Sequence, residues 1–206
     1  MKLFTVSLFA IGLLASARVQ AEPLTFDFAD AKGVNNVVFL LDAPLEAING
    51  TASGVSGTVT LDLENPGQAS GSIIVATNSL TVPNPVMQEH MLGADWLNAE
   101  EFPEITFALK SVDSIEREGE KGTAEITGDF TLKGVTKEIT IPVSATYLEG
   151  RLKDRGGDVD GDILVLRSTF TIKRSDFGIK PGEHADKVAE EIQLTLSIAG
   201  AAPKTE

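Results

Sequence analysis

The feature that most constrains this fold is an alternation of apolar and polar residues that recurs along most of the chain. Ile105, Phe107 and Leu109, for example, share one parity. Successive side chains of a β-strand point to opposite faces, so each such row predicts a strand with one apolar face. Similar rows are Val37-Phe39-Leu41, Val59-Leu61-Leu63, Ile126-Phe130-Leu132, Ile139-Ile141-Val143-Ala145-Tyr147, Leu164-Leu166-Phe170-Ile172 and Ile192-Leu194-Leu196-Ile198.

The opposite parity of these runs is polar, as in Glu125-Thr127-Asp129-Thr131. This pattern is typical of antiparallel strands with one wet face. Many such strands joined by short, turn-rich connections, among them a hairpin turn at Lys133-Gly134-Val135, favour a barrel or a sandwich. Periodicity alone does not distinguish an interior packed with its own side chains from an interior that lines a cavity.

One segment, Pro85 to Glu101, departs from the period of two. Its apolar residues recur at helical spacing, and Pro85 suits a first helical turn. We therefore predict one short helix over about 85–97, with Trp96 and Phe102 packed as a lid or in the core.

The first 21 residues have the pattern of a secretory signal peptide. Lys2 precedes an apolar run, and Val19-Gln20-Ala21 is a small-residue cleavage site. The competing interpretation, a membrane anchor, requires a longer run. We expect a periplasmic or secreted protein with one domain over 22–200, a disordered tail over 201–206 and no stable membrane anchor after cleavage.

Charge and cysteine content narrow the classes of partner. Without Lys2 and Arg18, the chain has 15 basic and 30 acidic residues, a net charge of −15 with neutral histidines. Such a surface repels nucleic acid, so no nucleic-acid partner is predicted. The absence of cysteine leaves the core to stabilise the fold without disulfides. A homodimer is compatible with the sequence.

The sequence offers little for catalysis or metal binding. His90 and His184 are the only histidines, and no glycine-flanked serine elbow accompanies them. The acidic run Asp158–Asp162 lacks the glycine and glutamate spacing of an EF-hand. We therefore predict no enzyme activity, no cofactor and no metal. His90 on the helix suits either packing or ligand contact.

The row Leu164-Leu166-Ser168-Phe170-Ile172 ends in a charged residue, Arg174. Its parity predicts that Arg174 faces the interior, where a charge is costly without a partner. Two interpretations remain open. Arg174 caps the strand and pairs with Asp176 or another carboxylate, or it grips the polar head of an apolar ligand.

Three segments resemble the YceI-like family of lipocalin-like proteins. The first combines Glu89-His90-Met91 with Asp95-Trp96-Leu97 and Glu101–Phe107. The second is the hairpin Gly128–Lys137, similar to the family pattern G-x-L-T-L-x-G-V-T-K. The third is Arg174–Ile179, which matches R-S-D-F-G-I. Met87-Gln88 replaces the family's Arg-Asp pair.

The resemblance implies a closed antiparallel lipocalin-like β-barrel of about eight strands that binds a long-chain isoprenoid lipid, of the polyprenyl phosphate or isoprenoid quinone class. The alternative is a structural barrel filled by its own side chains. The predicted ligand-binding residues fall into two groups. The apolar tunnel comprises Phe107, Phe130, Ile141, Phe170 and Leu196, and the tunnel mouth comprises Met87, His90, Met91 and Arg174.

Overall fold

The computed structural model describes residues 22–30, 32–156 and 158–204; the predicted signal peptide, 1–21, lies outside them. The described chain forms eleven strands and one α-helix, α1 (Pro85–Leu92). The strands are β1 (Leu24–Asp27), β2 (Asn36–Asp42), β3 (Ala47–Ala52), β4 (Val55–Leu61), β5 (Ser70–Ala76), β6 (Leu80–Thr81), β7 (Glu104–Glu118), β8 (Lys121–Leu132), β9 (Val135–Leu148), β10 (Gly161–Lys173) and β11 (Glu191–Pro203).

All strands belong to one antiparallel sheet that closes into a barrel. β11 pairs with β10 on one side and with both β1 and β2 on the other. β1 pairs with β4 and β4 with β5, while β2 pairs with β3 and β3 with β6. Three bent strands are thus formed by β1 with β2, β3 with β4 and β5 with β6. Together with the five strands β7 to β11 they make the predicted closed barrel of eight strands. Closure pairs the strands around the whole ring, although β9 and β10 pair only over Ser144–Leu148 and Ile163–Arg167.

The bend between β1 and β2 depends on a buried side chain, Asn35. Its Nδ2 donates to the carbonyls of Phe28 (2.9 Å) and Ala199 (3.0 Å), and its Oδ1 accepts from the Ala199 amide (2.8 Å). These bonds replace the strand ladder where the two halves separate. They keep buried backbone groups satisfied, as a low-dielectric interior requires.

The predicted hairpin turn at Lys133-Gly134-Val135 is confirmed; Lys133 and Gly134 form the two-residue connection between β8 and β9, and Val135 already belongs to β9. Both residues have positive φ, 49° at Lys133 and 72° at Gly134. This is the backbone of a type I′ turn, whose twist matches that of the strands it joins.

Two predicted boundaries are wrong. The helix ends at Leu92 instead of about 97, because the backbone at Gly93 is extended (φ −67°, ψ 167°) and cannot continue it; the Gly93 amide makes the last bonds, to the carbonyls of Glu89 and His90. The predicted disordered tail begins too early: β11 continues to Pro203, which pairs with Gly161 of β10. Ladder pairing, which composition does not reveal, orders those last residues.

Apolar side chains gather at two ends of the barrel. The cluster near α1, at the "helix end", includes Leu97, Phe130, Ile172 and Phe177. The second cluster, around Phe26 and Phe28, lies near the start of β10. No helix within the described ranges is both long enough and apolar enough to cross a membrane.

Candidate functional site

The inward rows of the strands enclose a cavity of about 810 Å³. The five residues predicted for the apolar tunnel all line it: Phe107, Phe130, Ile141, Phe170 and Leu196. A packed protein interior has few voids larger than a water molecule. A space of this size therefore does not fit the alternative prediction of a barrel filled by its own side chains.

The exposure of the lining side chains agrees with an unfilled interior. Phe130 and Ile141 are buried, but Phe107, Phe170 and Leu196 are only half-buried although they face inward. The Phe130 ring packs edge-to-face against Phe170 and Phe177, with ring centroids 6.3 and 5.4 Å apart. These aromatic contacts shape the wall and leave its inner surface open to an apolar guest.

Polar side chains in the cavity lining lie mainly at its two ends. The helix end contributes Glu46, Asn84, His90, His184 and Lys187. The opposite end, which we call the "hairpin end" because it carries the β4–β5 and β7–β8 turns, contributes Glu116, Arg117, Glu120, Lys121 and Thr123. Most of the wall between them is aliphatic or aromatic. The site therefore suits a long apolar chain whose polar groups stay near an opening.

The helix α1 contributes to the wall at the helix end. Asn84 caps its first turn, where the side-chain Oδ1 accepts from the amides of Val86 (3.0 Å) and Met87 (3.2 Å). Met87, His90 and Met91 line the cavity, as their helical spacing predicts. The two methionines are half-buried and His90 is exposed. The structure thus brings the predicted mouth residues of α1 together.

A side chain at a position where the sequence departs from the family pattern ties α1 to the barrel. Gln88 donates from Nε2 to the Leu80 carbonyl (2.6 Å) and accepts at Oε1 from the Val82 amide (2.8 Å). The segment after α1 is held by Thr77, whose hydroxyl donates to the Phe102 carbonyl (2.7 Å). These bonds fix the wall at the helix end to β6 and to the 3-10 turn Thr77–Ser79 between β5 and β6.

Arg174 lies at the helix end, among the lining residues, with 1% of its side chain exposed. Its guanidinium donates to four backbone carbonyls of the segment 174–190: Ala189 (3.2 Å), Ile179 (2.9 Å), Lys180 and Glu183. The carboxylate near it belongs to Glu190 (3.7 Å) and not to the suggested Asp176, which is exposed. Arg174 therefore uses most of its five hydrogen-bond donors to bind carbonyls of its own loop. Ligand contact by this residue stays a prediction.

Glu190 closes the same loop. Its Oε1 accepts from the hydroxyl of Ser175 and from the Ser175 amide (3.2 Å). The Ser175 hydroxyl bond is the main cause of a pKa below the usual value for a glutamate; burial opposes the shift, and the amide and Arg174 add to it. Glu190 is thus ionised near neutral pH, as a partner of Arg174 should be.

Three residues of the helix end were not among the predicted site residues. Trp96 stacks on His184, with ring centroids 6.2 Å apart, and both line the cavity together with Lys187. His184 and Lys187 lie on the segment between β10 and β11, where no period marks a face. Only the fold of that loop, held by Arg174, places them beside Trp96.

Part of the hairpin end is closed by the Phe26 cluster. Phe26 meets the ring of Tyr147 edge-to-face at 6.3 Å, and Tyr147 lines the cavity. The Tyr147 hydroxyl donates to Asp162 Oδ2 (2.8 Å). Burial, together with this bond, raises the pKa of Tyr147 far above its ordinary value, so the hydroxyl stays protonated and keeps its bond.

Comparison with known families agrees with this geometry. The sequence model of the YceI-like domain matches residues 31–200. The chain belongs to the YceI-like family. The first of the three segments that carry its resemblance lies on α1, the loop after it and the start of β7. The other two lie on the β8–β9 hairpin and on the turn that begins at Arg174.

Curated YceI-like relatives match most of the chain. A UPF0312 protein of Pseudomonas putida strain W619 is 35% identical over 158 residues, which cover 76% of this chain and 75% of the relative. Protein YceI of Salmonella arizonae is 31% identical over 156 residues, covering 75% and 74%.

Solved structures share the fold. BcnA of Burkholderia cenocepacia superimposes with a TM-score of 0.64 at 22% identity, covering 80% of this chain and 95% of BcnA. A polyisoprenoid-binding domain from Saccharophagus degradans, implicated in plant cell wall breakdown, superimposes with a TM-score of 0.61 at 11% identity, covering 88% and 100%. At these identities the likeness concerns the barrel architecture.

Proposed function

We propose that this YceI-like barrel binds one long-chain isoprenoid lipid, of the polyprenyl phosphate or isoprenoid quinone class, and carries or sequesters it without catalysis. The observation that carries the proposal is the apolar cavity of about 810 Å³, whose polar side chains lie mainly at its ends. The polyisoprenoid-binding function of the structural neighbour from Saccharophagus degradans adds support.

Hydrophobic transfer alone is large enough to hold such a ligand. Each methylene moved from water into an apolar wall contributes about 0.8 kcal/mol. The predicted tunnel residues Phe107, Phe130, Ile141, Phe170 and Leu196 would contact this chain. The flexible thioethers of Met87 and Met91 would adapt the wall to its methyl branches.

We place the polar head at the helix end. His90, His184 and Lys187 line this end and offer donors to a phosphate or a quinone oxygen. Arg174 would act mainly by holding the loop that carries His184 and Lys187, since its guanidinium already binds that loop's carbonyls. The signal-like first 21 residues support a periplasmic site of action, and we include no stable partner other than the lipid, leaving a homodimer open.

The first experiment is native mass spectrometry of the protein purified from the periplasm of its own cells. We expect a bound species whose fragment masses identify an isoprenoid chain. A protein that is ligand-free from every preparation, and that takes up no polyprenyl phosphate or isoprenoid quinone from vesicles, would contradict the proposal.

The second experiment uses the one tryptophan of the chain. Trp96 lines the cavity at the helix end, so an isoprenoid quinone, which quenches tryptophan fluorescence, should quench it on binding. Ala145 and Ser144 are neighbours on β9; Ala145 lines the cavity and Ser144 is exposed outside the lining. We expect Ala145→Phe to weaken quinone binding about tenfold or more, equivalent to about 1.4 kcal/mol, and Ser144→Phe to leave it unchanged. Equal binding by both variants would place the ligand outside the barrel.

A further inference from the structure

The cavity lining reaches solvent-exposed side chains at both ends of the barrel. At the helix end these include Val86 and His90. At the hairpin end they include Ile115, which is 41% exposed, and Arg117. A pocket with a floor would have exposed lining residues at one end only.

The edges of the second opening are formed by two turns. The turn between β4 and β5 contributes Leu63 and Pro66, and the tip of the β7–β8 hairpin contributes Ile115 and Arg117. Arg117 joins the two turns, because its Nη1 donates to the Leu63 carbonyl (3.1 Å). The Phe26 cluster closes a different part of this end.

Two irregularities in β7 aim apolar side chains at this opening. The register with β8 shifts between Leu109 and Ser111 and again between Asp113 and Glu116. After the first shift Val112 lies opposite Ile126, on the inward face. Within the second, Ile115 reaches both the lining and solvent. Bulges of this kind redirect side chains at barrel rims.

The dimensions of the barrel set the length at which a second opening matters. β10 and β11 have thirteen residues each. At about 3.3 Å per residue and a tilt of about 35–45°, such strands span roughly 30–35 Å along the barrel axis. An ordinary acyl chain spans half of the ~30 Å bilayer core and fits inside. A polyprenyl chain of many units is longer than the barrel.

We propose that the opening bounded by Leu63, Pro66, Ile115 and Arg117 is an exit for the tail of a ligand longer than the barrel, so that the protein accepts polyprenyl chains without an upper limit of length. This inference rests on the proposed function. The head stays at the helix end, the first units fill the cavity, and the tail leaves across the apolar surface of Ile115.

Gly67 allows the opening to be closed without disturbing the fold. An added Cβ would lie 3.8 Å from the Ile115 Cδ1 atom, an ordinary contact, and Gly67 is absent from the glycines with positive φ. A phenylalanine at position 67 would therefore pack over Ile115. Gln68 follows in the same turn, is exposed and does not line the cavity, so Gln68→Phe is the matched control.

The probes are farnesol, whose chain is shorter than the barrel, and solanesol, whose chain is longer, each offered in vesicles and measured by competition with the quinone that quenches Trp96. We expect Gly67→Phe to weaken solanesol binding about tenfold or more, equivalent to about 1.4 kcal/mol, and to leave farnesol binding within about twofold. Gln68→Phe should alter neither.

Unchanged solanesol binding by Gly67→Phe, or equal weakening of both alcohols, would overturn the exit and leave the proposed function standing. If the wild-type protein binds neither these alcohols nor an isoprenoid quinone, the proposed function itself fails and the exit fails with it. Retained farnesol binding also shows that Gly67→Phe is folded.

Discussion

Replacing Arg174 with glutamine is expected to destabilise the protein more than it weakens ligand contact. The side chain is 1% exposed and its guanidinium serves four carbonyls of the segment 174–190. Each hydrogen bond to a charged group contributes about 1.5–3 kcal/mol net. The loop is partly exposed, and opening would return some carbonyls to water, so we expect a loss of about 3–5 kcal/mol.

For a domain of this size a loss of 1 kcal/mol lowers the melting temperature by about 2–4 °C, so the ligand-free variant should melt roughly 6–20 °C lower. Differential scanning calorimetry measures this. Arg174→Lys should recover only part of the loss, because an ammonium has three donors and lacks the planar fork.

Lys173→Gln is the control for charge and position. Lys173 is the neighbouring residue and is exposed, so its replacement should alter stability by less than about 0.5 kcal/mol. If Arg174→Gln melts within about 2 °C of the wild type and loses its lipid, the main role of Arg174 is not to stabilise the segment 174–190 through its carbonyls. Its role would then be to bind the headgroup.

Three further outcomes follow from single residues. Gly134→Ala should cost about 1–3 kcal/mol, since φ is 72° and the new Cβ would lie 2.5 Å from the Phe102 ring; Gly119→Ala, at φ 62° with nothing within 4 Å, should cost less in the same denaturant titration. Asn84→Ala should cost about 1 kcal/mol by removing the cap of α1, and equal melting of variant and wild type would refute this. Burial tends to raise the pKa of Asp30, but three backbone amides and Arg155 lower it overall. Its stabilising contribution is therefore present above the unfolded pKa of about 3.9 and is lost as pH falls through the folded value. Asp30→Asn should therefore reduce the fall in melting temperature that the wild type shows as pH is lowered through this range. An unaltered fall would show that other carboxylates cause it.

The class of fold could be predicted from residues alone because a strand has a period of two. Each row such as Ile139-Ile141-Val143 must bury one face, and antiparallel pairing is the simplest way to do so with short turns. The inward direction of Phe107, Phe130, Ile141, Phe170 and Leu196 follows from the same alternation. The turn at Lys133-Gly134 followed from glycine's tolerance of positive φ.

The ends of elements were less predictable. Apolar spacing continues past Leu92 to Leu97, but the extended backbone at Gly93 ends the helix before it. In β7, parity counted from Phe107 would turn Ser111 and Asp113 inward. The bulges place Val112 there instead, and bulges depend on the partner strand as well as on the local sequence.

By itself, then, the sequence determined antiparallel strands with one apolar face each, in a barrel or a sandwich, and it pointed to Arg174 as an inward charge. The resemblance to the YceI-like family selected the barrel. Only the tertiary structure decided that the interior holds a cavity, because a void depends on the barrel's circumference and on how far opposite walls stand apart. It also decided that the guanidinium of Arg174 turns to the carbonyls of its own loop and that Trp96, His184 and Lys187 meet at the helix end. Those contacts join segments far apart in the chain, so the periodicity of apolar residues along one segment does not predict them.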